Sequence, residues 1–266
     1  MKKSIIVFDV DGTITESSKK ILDENAITLN KLKERYDIAL CGGGTLDKIL
    51  IQMNGKIDFH HYFSECGCVY YKPILYTNLK KNIFAINNTI NSKKSELIHI
   101  YSNNIRNHET YNKINLLVKE CLHFFSKVNY TLTGHFIDLR IGIIYVSCIG
   151  MQATEEERNY FKKMNENDCI RKELIDILKT KAKQLEIENK VSITYGGTVG
   201  IAIYPLEYDK IQILDTLGET YDEIIYFGDK YEKDGNDHNI ICSDIVKGHK
   251  VDNVSETYDI IKNNYL

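Results

Sequence analysis

The stretch Ser4-Ile5-Ile6-Val7-Phe8-Asp9-Val10-Asp11-Gly12-Thr13 places two acidic residues directly after a short apolar run. The run predicts a buried strand, with Asp9 and Asp11 in a turn at its carboxyl end. Carboxylates in such a position are costly to desolvate unless a cation or hydrogen bonds compensate, and open α/β sheets carry their chemistry at the carboxyl ends of strands. The stretch therefore predicts a metal-assisted phosphoryl-transfer site.

The overall composition is that of a globular protein rather than of a nucleic-acid or membrane protein. The chain has 266 residues, of which 43% are hydrophobic and 27% charged, and a formal net charge of -3. This charge gives no general attraction to nucleic acid or anionic lipid, and no segment approaches the ~20 apolar residues of a membrane span. Seven scattered cysteines without zinc-ligand spacing predict free thiols in the cytoplasm.

The two ends of the chain predict one α/β domain. A strand at 4–8, a helix at about 24–35 and a strand at 37–41 form a βαβ beginning, which favours a parallel sheet. The tail repeats this pattern, with predicted elements at 223–227 (strand), 228–237 (loop), 249–251 (strand) and 255–263 (helix). We therefore expect a Rossmann-like parallel-sheet core formed by residues 1–83 and 206–266.

The middle of the chain has a different pattern, which predicts an inserted α+β cap domain over residues 84–205. Gly196-Gly197 suggests a two-residue hairpin turn, and Thr154 with Glu157 predicts a capping box that places Arg158 in the first turn of a helix. The predicted strands are 130–132, 136–140, 143–148, 191–195 and 199–204, and the predicted helices lie near 155–165 and 170–185.

The acidic turn and the tail together supply the groups that phosphoryl transfer to a carboxylate needs. Asp9 is the candidate nucleophile, and Asp11 is the candidate general acid and then base. Lys210 is the candidate cation that offsets phosphate charge. Asp229 and Asp237 follow a predicted strand and offer hard oxygen ligands, so the predicted Mg²⁺ site comprises Asp9, Asp11, Asp229 and Asp237.

The acidic turn also has simpler explanations. Asp-Gly-Thr alone is a common turn and helix cap. An EF-hand is excluded because Gly12 is the fourth residue from Asp9, whereas that loop needs glycine at the sixth. A Walker loop is excluded because no Gly-Lys-Ser/Thr follows a strand. The conjunction of the acidic pair, Lys210 and the acidic tail loop favours a catalytic site.

Several motifs resemble those of the haloacid dehalogenase (HAD) superfamily, and specifically of the eukaryotic phosphomannomutases. The motifs in the predicted core are residues 8–15, the glycines 42–44, Asp209-Lys210, 227–230 and 235–237. Those in the predicted cap are 136–140, 146–147, 149–150, 155–158 and 196–205, so the resemblance spans nearly the whole chain.

The resemblance implies a magnesium-dependent enzyme that forms an aspartyl-phosphate. It further implies a cap whose arginines hold the second, non-reacting phosphate and through which the family often dimerises. The residues of this chain that match family positions for substrate or phosphate binding are Gly43, Gly44, Thr45, Arg140 and Arg158.

The chain departs from the family at several positions around the substrate. Ser18 and Met151 replace arginines, and Gly44 and Gly200 replace serines, while Ala202 replaces an aspartate. A hydrogen bond to a charged group contributes ~1.5 to 3 kcal/mol, so two missing arginines would weaken the grip on a bisphosphate by ~100-fold to ~10,000-fold.

Because of these departures, the first hypothesis is a phosphatase. Its substrate would be a small phosphorylated metabolite, such as a sugar or nucleotide phosphate. A mutase must retain its bisphosphate intermediate, whereas a phosphatase needs only water. The alternative is a phosphomannomutase that interconverts mannose 6-phosphate and mannose 1-phosphate. A third hypothesis, an inactive sensor of phosphometabolites, is disfavoured because a binding protein needs neither a nucleophile nor an acid.

Overall fold

The structure, a computed structural model, describes residues 3–74, 89–91, 96–233 and 235–266. The chain divides into two compact units, which we call unit 1 (Met1–Ser102 with Asp209–Leu266) and unit 2 (Asn103–Tyr208). Unit 2 is thus shorter than the predicted cap of residues 84–205, and position 84 itself lies outside the described residues. The difference arises because strands at 89–91 and 96–102 join the sheet of unit 1.

The first part of unit 1 alternates strands and helices before it becomes purely β-stranded. Its elements are β1 (Ser4–Phe8), α1 (Asp23–Leu32), β2 (Asp37–Cys41), α2 (Leu46–Met53), β3 (His61–Ser64), β4 (Val69–Pro73), β5 (Thr89–Asn91) and β6 (Glu96–Ser102).

Unit 2 combines three helices with four strands. Its elements are α3 (Tyr111–Phe125), β7 (Ile137–Leu139), β8 (Ile144–Ser147), α4 (Glu155–Asp168), α5 (Ile170–Gln184), β9 (Val191–Gly196) and β10 (Gly200–Pro205). The chain then returns to unit 1 with α6 (Ile213–Gly218), β11 (Glu223–Gly228), α7 (His238–Ile241), β12 (Val246–Lys250) and α8 (Val254–Asn264).

The described strands of unit 1 form one sheet in the order β12-β11-β1-β2-β3-β4-β6-β5. The neighbours from β12 to β3 are parallel, and those from β3 to β5 are antiparallel. The predicted parallel α/β core is therefore confirmed, and the antiparallel extension, which was not predicted, adds three strands on one side of the sheet.

The central strand β1 is buried on both faces, which explains its continuous apolar run. Ile6 and Phe8 pack in one cluster with residues of α1, α2 and α8. Ile5 and Val7 pack in a second cluster with residues of α6 and α7. Since successive side chains of a strand point to opposite faces, helices cover both faces of the sheet.

Unit 2 is built around an antiparallel sheet in the order β7-β8-β10-β9. One face of this sheet carries Val146 and Ile201, which are buried with Leu117 of α3 and Leu178 of α5. The predicted α+β character of this segment is therefore confirmed. Within the described residues, no helix is both long enough and apolar enough to pass through a bilayer.

Two local predictions in unit 2 are wrong. The segment 130–132 forms no strand; instead, the Tyr130 hydroxyl donates a hydrogen bond to the Cys148 carbonyl at 2.8 Å. The β9–β10 turn contains three residues rather than two, because Gly196 pairs with Gly200. Gly197, in that turn, adopts a φ of +57°, a conformation that suits glycine.

Candidate active site

The acidic residues of unit 1 gather where β1 and β11 end. These strands are parallel neighbours, with Phe8 opposite Phe227, and the Asp9 amide donates to the Phe227 carbonyl at 2.9 Å. Asp9 and Asp229 therefore follow adjacent strands at the same edge of the sheet, as expected for parallel strands. Asp237 precedes α7, and Lys210 lies in the segment before α6.

Lys210 lies between two carboxylates. Its Nζ is 2.5 Å from Asp9 Oδ1 and 2.7 Å from Asp237 Oδ1, and the side chains of Lys210 and Asp237 have no exposed surface. Asp237 also accepts hydrogen bonds from the Tyr226 hydroxyl at 2.6 Å and from the Lys230 amide at 2.9 Å. The structure thus brings together four residues that the sequence pattern indicated separately, Asp9, Lys210, Asp229 and Asp237.

The charges of this group do not balance. Three carboxylates, those of Asp9, Asp229 and Asp237, face two ammonium groups, that of the buried Lys210 and that of the exposed Lys230. Burial raises the pKa of Asp9 to about 8, and Asp237 and Asp229 add to the rise while Lys210 opposes it. Burial disfavours the charged form of Lys210, but Asp237 and Asp9 outweigh it and raise the lysine pKa well above its usual value. The excess of negative charge favours binding of a cation.

The donor set fits a hard divalent cation. One carboxylate oxygen from each of Asp9, Asp229 and Asp237 lies within 4.8 Å of the others. Asp229 Oδ1 is buried and has no hydrogen-bond partner, although the other oxygen of that carboxylate accepts a hydrogen bond from Lys230 Nζ. An unsatisfied buried carboxylate oxygen is a costly feature that a metal ion would relieve.

Gly12 allows the carboxylate of Asp229 to approach the acidic turn. Its φ is +90°, and a Cβ at this position would lie 2.4 Å from Asp229 Oδ2. Both the conformation and the contact exclude a side chain here. The glycine of the Asp-Gly-Thr motif therefore serves the site geometry as well as the turn.

The Asp11 carboxylate has its own set of hydrogen-bond donors. Its carboxylate is not in the group of three acidic residues with converging oxygens; it accepts from Lys48 Nζ at 2.5 Å, Gln52 Nε2 at 2.7 Å and the Ser18 amide at 2.7 Å. Burial alone would raise the pKa of Asp11, but the charge of Lys48 and these hydrogen bonds lower it. The metal-ligand role of Asp11 stays a prediction, and its carboxylate already has three donors.

The predicted phosphate-binding loop lies at the carboxyl end of β2. Gly43 and Gly44 follow this strand, and Thr45 is the residue before α2. Gly43 is close to the acidic tail loop, because a Cβ on it would be 3.6 Å from Asn236 Nδ2. Asn236 Oδ1 is buried without a hydrogen-bond partner, so this polar atom also suits a ligand. The binding roles of Gly43, Gly44 and Thr45 stay predictions.

The two predicted phosphate-binding arginines belong to unit 2. The capping box is confirmed, since the Glu157 amide donates to Thr154 Oγ1 and the Thr154 amide donates to Glu157 Oε2. Arg158 donates to the carbonyls of Ala153 at 3.1 Å and Met151 at 3.2 Å. Arg140 Nε donates to Asp138 Oδ2 at 2.7 Å. Their binding roles also stay predictions.

Four residues near the acidic group were not identified from the sequence. Lys48 and Gln52 both bond to Asp11, and their spacing of four residues on α2 was a usable signal, since such residues share one helix face. Tyr226 and Asn236 offered none, because a tyrosine in a strand and an asparagine in a loop are usually structural.

Comparison with known proteins connects nearly the whole chain with one family. The family model described as "Eukaryotic phosphomannomutase" matches residues 25–266. A phosphomannomutase of Triticum aestivum is 29% identical over 265 residues, which covers 98% of this chain and 95% of the relative. A phosphomannomutase of Schizosaccharomyces pombe is 30% identical over 267 residues, covering 98% of this chain and 93% of the relative.

Solved structures support the fold independently of these sequences. The structure of N-terminal truncated Plasmodium falciparum IMP-nucleotidase superposes with a TM-score of 0.63 at 15% identity, covering 98% of this chain and 70% of that one. The IMP-bound form of the same protein gives a TM-score of 0.61, with coverage of 98% and 68%. These likenesses support the HAD-type fold alone.

Proposed function

Because this chain belongs to the eukaryotic phosphomannomutase family, we propose that it catalyses magnesium-dependent phosphoryl transfer through Asp9 on a hexose phosphate. The first candidate reaction is the interconversion of mannose 6-phosphate and mannose 1-phosphate, which the names of its relatives favour over the phosphatase hypothesis. The observation that carries the proposal is the position of Asp9 at the end of β1, in contact with Lys210 and with Asp229 and Asp237 nearby.

Asp9 is the proposed nucleophile. A carboxylate oxygen of Asp9 forms a bond to phosphorus while the bond from phosphorus to the ester oxygen breaks. Lys210, held at 2.5 Å from Asp9, offsets the negative charge of the transferring group and orients the carboxylate. In a mutase the aspartyl-phosphate passes its phosphoryl group to a free hydroxyl of a sugar monophosphate, which gives a bisphosphate, and in a phosphatase it passes the group to water.

Asp11 is the proposed acid and base. It would give a proton to the leaving ester oxygen and take one from the hydroxyl or water that attacks the aspartyl-phosphate. The hydrogen bonds from Gln52 and the Ser18 amide fix its carboxylate, and the present contacts, including that from Lys48, favour the ionised form that accepts a proton.

Mg²⁺ is the proposed cofactor, and Asp9, Asp229 and Asp237 are the residues that would hold it. A bound Mg²⁺ would supply positive charge at the phosphoryl oxygens. Arg140 and Arg158 are proposed to bind the non-reacting phosphate of the substrate. The predicted cytoplasmic location, the homodimer and the absence of nucleic-acid or membrane partners remain predictions.

Hydrolysis is the second candidate, and residues of unit 2 favour it. The side chain of Met151 has no charge to offer a phosphate, and Gly200 and Ala202 carry no polar side chain. A chain that holds its phosphorylated sugar weakly leaves the aspartyl-phosphate open to water, which then takes the phosphoryl group.

A single incubation distinguishes the two reactions. Mannose 6-phosphate is incubated with the full chain, Mg²⁺ and a trace of glucose 1,6-bisphosphate, and phosphorus NMR follows the products. Mannose 1-phosphate without free phosphate supports the mutase, whereas free phosphate in proportion to lost substrate supports the phosphatase. Neither product, across mannose and glucose phosphates, would contradict the proposal.

The matched controls are two Asp→Asn variants. Asp9→Asn removes the nucleophile and is expected to abolish both reactions. Asp176→Asn makes the same change at an exposed ion pair with Lys172 on α5 and is expected to keep the original activity. Full activity of Asp9→Asn would exclude Asp9 as the nucleophile.

A further inference from the structure

The sheet of unit 2 has one face that its helices α3 and α5 do not cover. Alternate residues on this open face include Asp138, Tyr145 and Ala202, which lie side by side because Tyr145 pairs with Asp138 across β7 and with Ala202 across β10. All three are partly buried, in contrast to Ile144 and Val146 on the covered face. The open face is therefore where unit 2 presents polar side chains from its strands.

The ring of Tyr145 lies over glycines of the β9–β10 hairpin. Its hydroxyl donates to the Gly196 carbonyl at 3.1 Å. A Cβ on Gly196 would lie 2.7 Å from Tyr145 Cε2, and a Cβ on Gly200 would lie 2.4 Å from Tyr145 Cζ. The ring thus occupies space that exists only because both positions lack a side chain.

The guanidinium of Arg140 lies against the ring of Tyr145. Its Cζ is 4.8 Å from the ring centroid, a cation–π distance, and its Nε donates to Asp138 Oδ2 at 2.7 Å. The Arg140 side chain is only 14% exposed. A ring and a carboxylate together therefore fix the plane of a group whose planar donors match a phosphate.

With the carboxylate of Asp138 counted against the arginines that act on it, Tyr145 has surroundings of net positive charge. Burial raises the pKa of its phenol, and the charges of Arg140, Arg158 and Arg171 oppose this rise. Three guanidinium groups are thus close enough to act on one hydroxyl. A region of this charge favours an anionic group of a ligand.

We propose that Tyr145 is a positioning residue, which holds the Arg140 guanidinium in the orientation that binds the non-reacting phosphate of the substrate. This inference rests on the proposed function, since it requires a substrate that carries a second phosphate. It also identifies what replaces a polar side chain at position 200: the aromatic ring fills that space and supports an arginine instead of contacting a sugar hydroxyl.

The test measures binding of glucose 1,6-bisphosphate to the full chain by titration calorimetry with Mg²⁺ present. Tyr145→Leu removes the ring and is expected to weaken binding about 10-fold, the effect of one weakened contact to a charged group. Tyr145→Phe keeps the ring and is expected to bind almost as the original chain does. Tyr160→Leu, at a position that is 65% exposed, is the matched control and is expected to leave affinity unchanged.

A double-mutant cycle separates positioning from a general structural effect. In an Arg140→Met background, Tyr145→Leu is expected to cause no further loss, because the residue that it positions is absent. An equal loss in both backgrounds would overturn the inference. If Tyr145→Leu fails to fold, Arg140→Lys replaces it, since lysine keeps the charge without the planar fork; binding as tight as that of the original chain would overturn the inference.

The two proposals fail in different ways. A chain that binds the bisphosphate with the expected Tyr145 dependence but transfers no phosphoryl group would refute the proposed function alone. A chain that turns over hexose phosphates while Tyr145→Leu binds the bisphosphate normally would refute the inference alone. Failure of the original chain to bind glucose 1,6-bisphosphate would also refute the inference.

Discussion

Lys210 is a fully buried ammonium whose two carboxylate partners, Asp9 and Asp237, are also almost or fully inaccessible. Removing one member of a buried ion pair leaves uncompensated charge, so Lys210→Met is expected to lower the free energy of unfolding by about 3 to 5 kcal/mol. Turnover should fall at least ~100-fold, because a charge that stabilises the transition state is lost. Urea unfolding and initial rates measure the two effects.

The control for this prediction is Lys172→Met, since Lys172 forms an exposed pair with Asp176. Exposed pairs contribute little to stability, so this variant should be close to the original chain in both measurements. Unchanged stability and turnover in Lys210→Met would contradict the roles given to this lysine.

Asp11 is expected to matter most for poor leaving groups. Asp11→Asn cannot donate a proton, so turnover of a sugar phosphate should fall ~100-fold to ~10,000-fold. The loss should be much smaller for p-nitrophenyl phosphate, whose leaving group needs no proton. Steady-state rates with both substrates check the prediction, and an equal loss on both would show that Asp11 does not act as the acid.

At the scale of elements, β3 and β4 carry a buried network around His61. His61 Nδ1 lies 2.6 Å from the Tyr70 hydroxyl, and Nε2 lies 2.8 Å from the Tyr221 hydroxyl, which donates to Asp37 Oδ2 at 2.8 Å. Because the Tyr221 hydroxyl donates its proton to Asp37, it can only accept from His61, which places the imidazole proton on Nε2. His61 Nδ1 then accepts from the Tyr70 hydroxyl, so all of these hydrogen bonds form when His61 is neutral. Burial, assisted by Lys72, lowers the pKa of His61 to about 3.

This network predicts loss of stability in acid. The pKa of His61 in the folded state lies below its value of about 6.5 in the unfolded state. The unfolded state therefore binds more protons than the folded state as the pH falls through 6.5. Between pH 7 and pH 5 the free energy of unfolding should fall by about 2 kcal/mol through His61. In His61→Gln this contribution should disappear from urea titrations at the two pH values.

His123→Gln is the control for this measurement, because His123 is exposed on α3. It should keep the pH dependence of the original chain. If His61→Gln retains the full loss of stability between pH 7 and pH 5, another group is responsible.

At the scale of the whole molecule, the unbalanced charge of the acidic group predicts stabilisation by metal. A ligand that binds only the folded state, at a hundredfold excess over its Kd, adds about 2.7 kcal/mol to the free energy of unfolding. Adding Mg²⁺ to chelator-treated protein should therefore raise the melting temperature. Asp229→Asn should reduce this increase, whereas Asp176→Asn should not; an equal increase in both variants would place the metal elsewhere.

The sequence predicted the parallel part of the core sheet but not the antiparallel strands that extend it. The bounds of β1 and β2 match the predicted ranges, because an apolar run followed by acidic or glycine residues is a local pattern. The sequence did not predict the strands β4, β5 and β6. In β6, for example, Leu97 is buried and Ile100 is exposed, and the position of this strand in the sheet is set by its pairing with β4. Pairing between distant segments set the unit boundary after Ser102.

The sequence by itself determined that Asp9, Asp11, Asp229 and Asp237 follow strands of an α/β fold, since apolar runs and turns are encoded by neighbouring residues. Only the tertiary structure decided that Lys48 and Gln52 bind the carboxylate of Asp11. It also decided that Tyr145 fills the space above Gly196 and Gly200. Such contacts depend on strand register and on the packing of segments far apart in the chain, which no local pattern specifies.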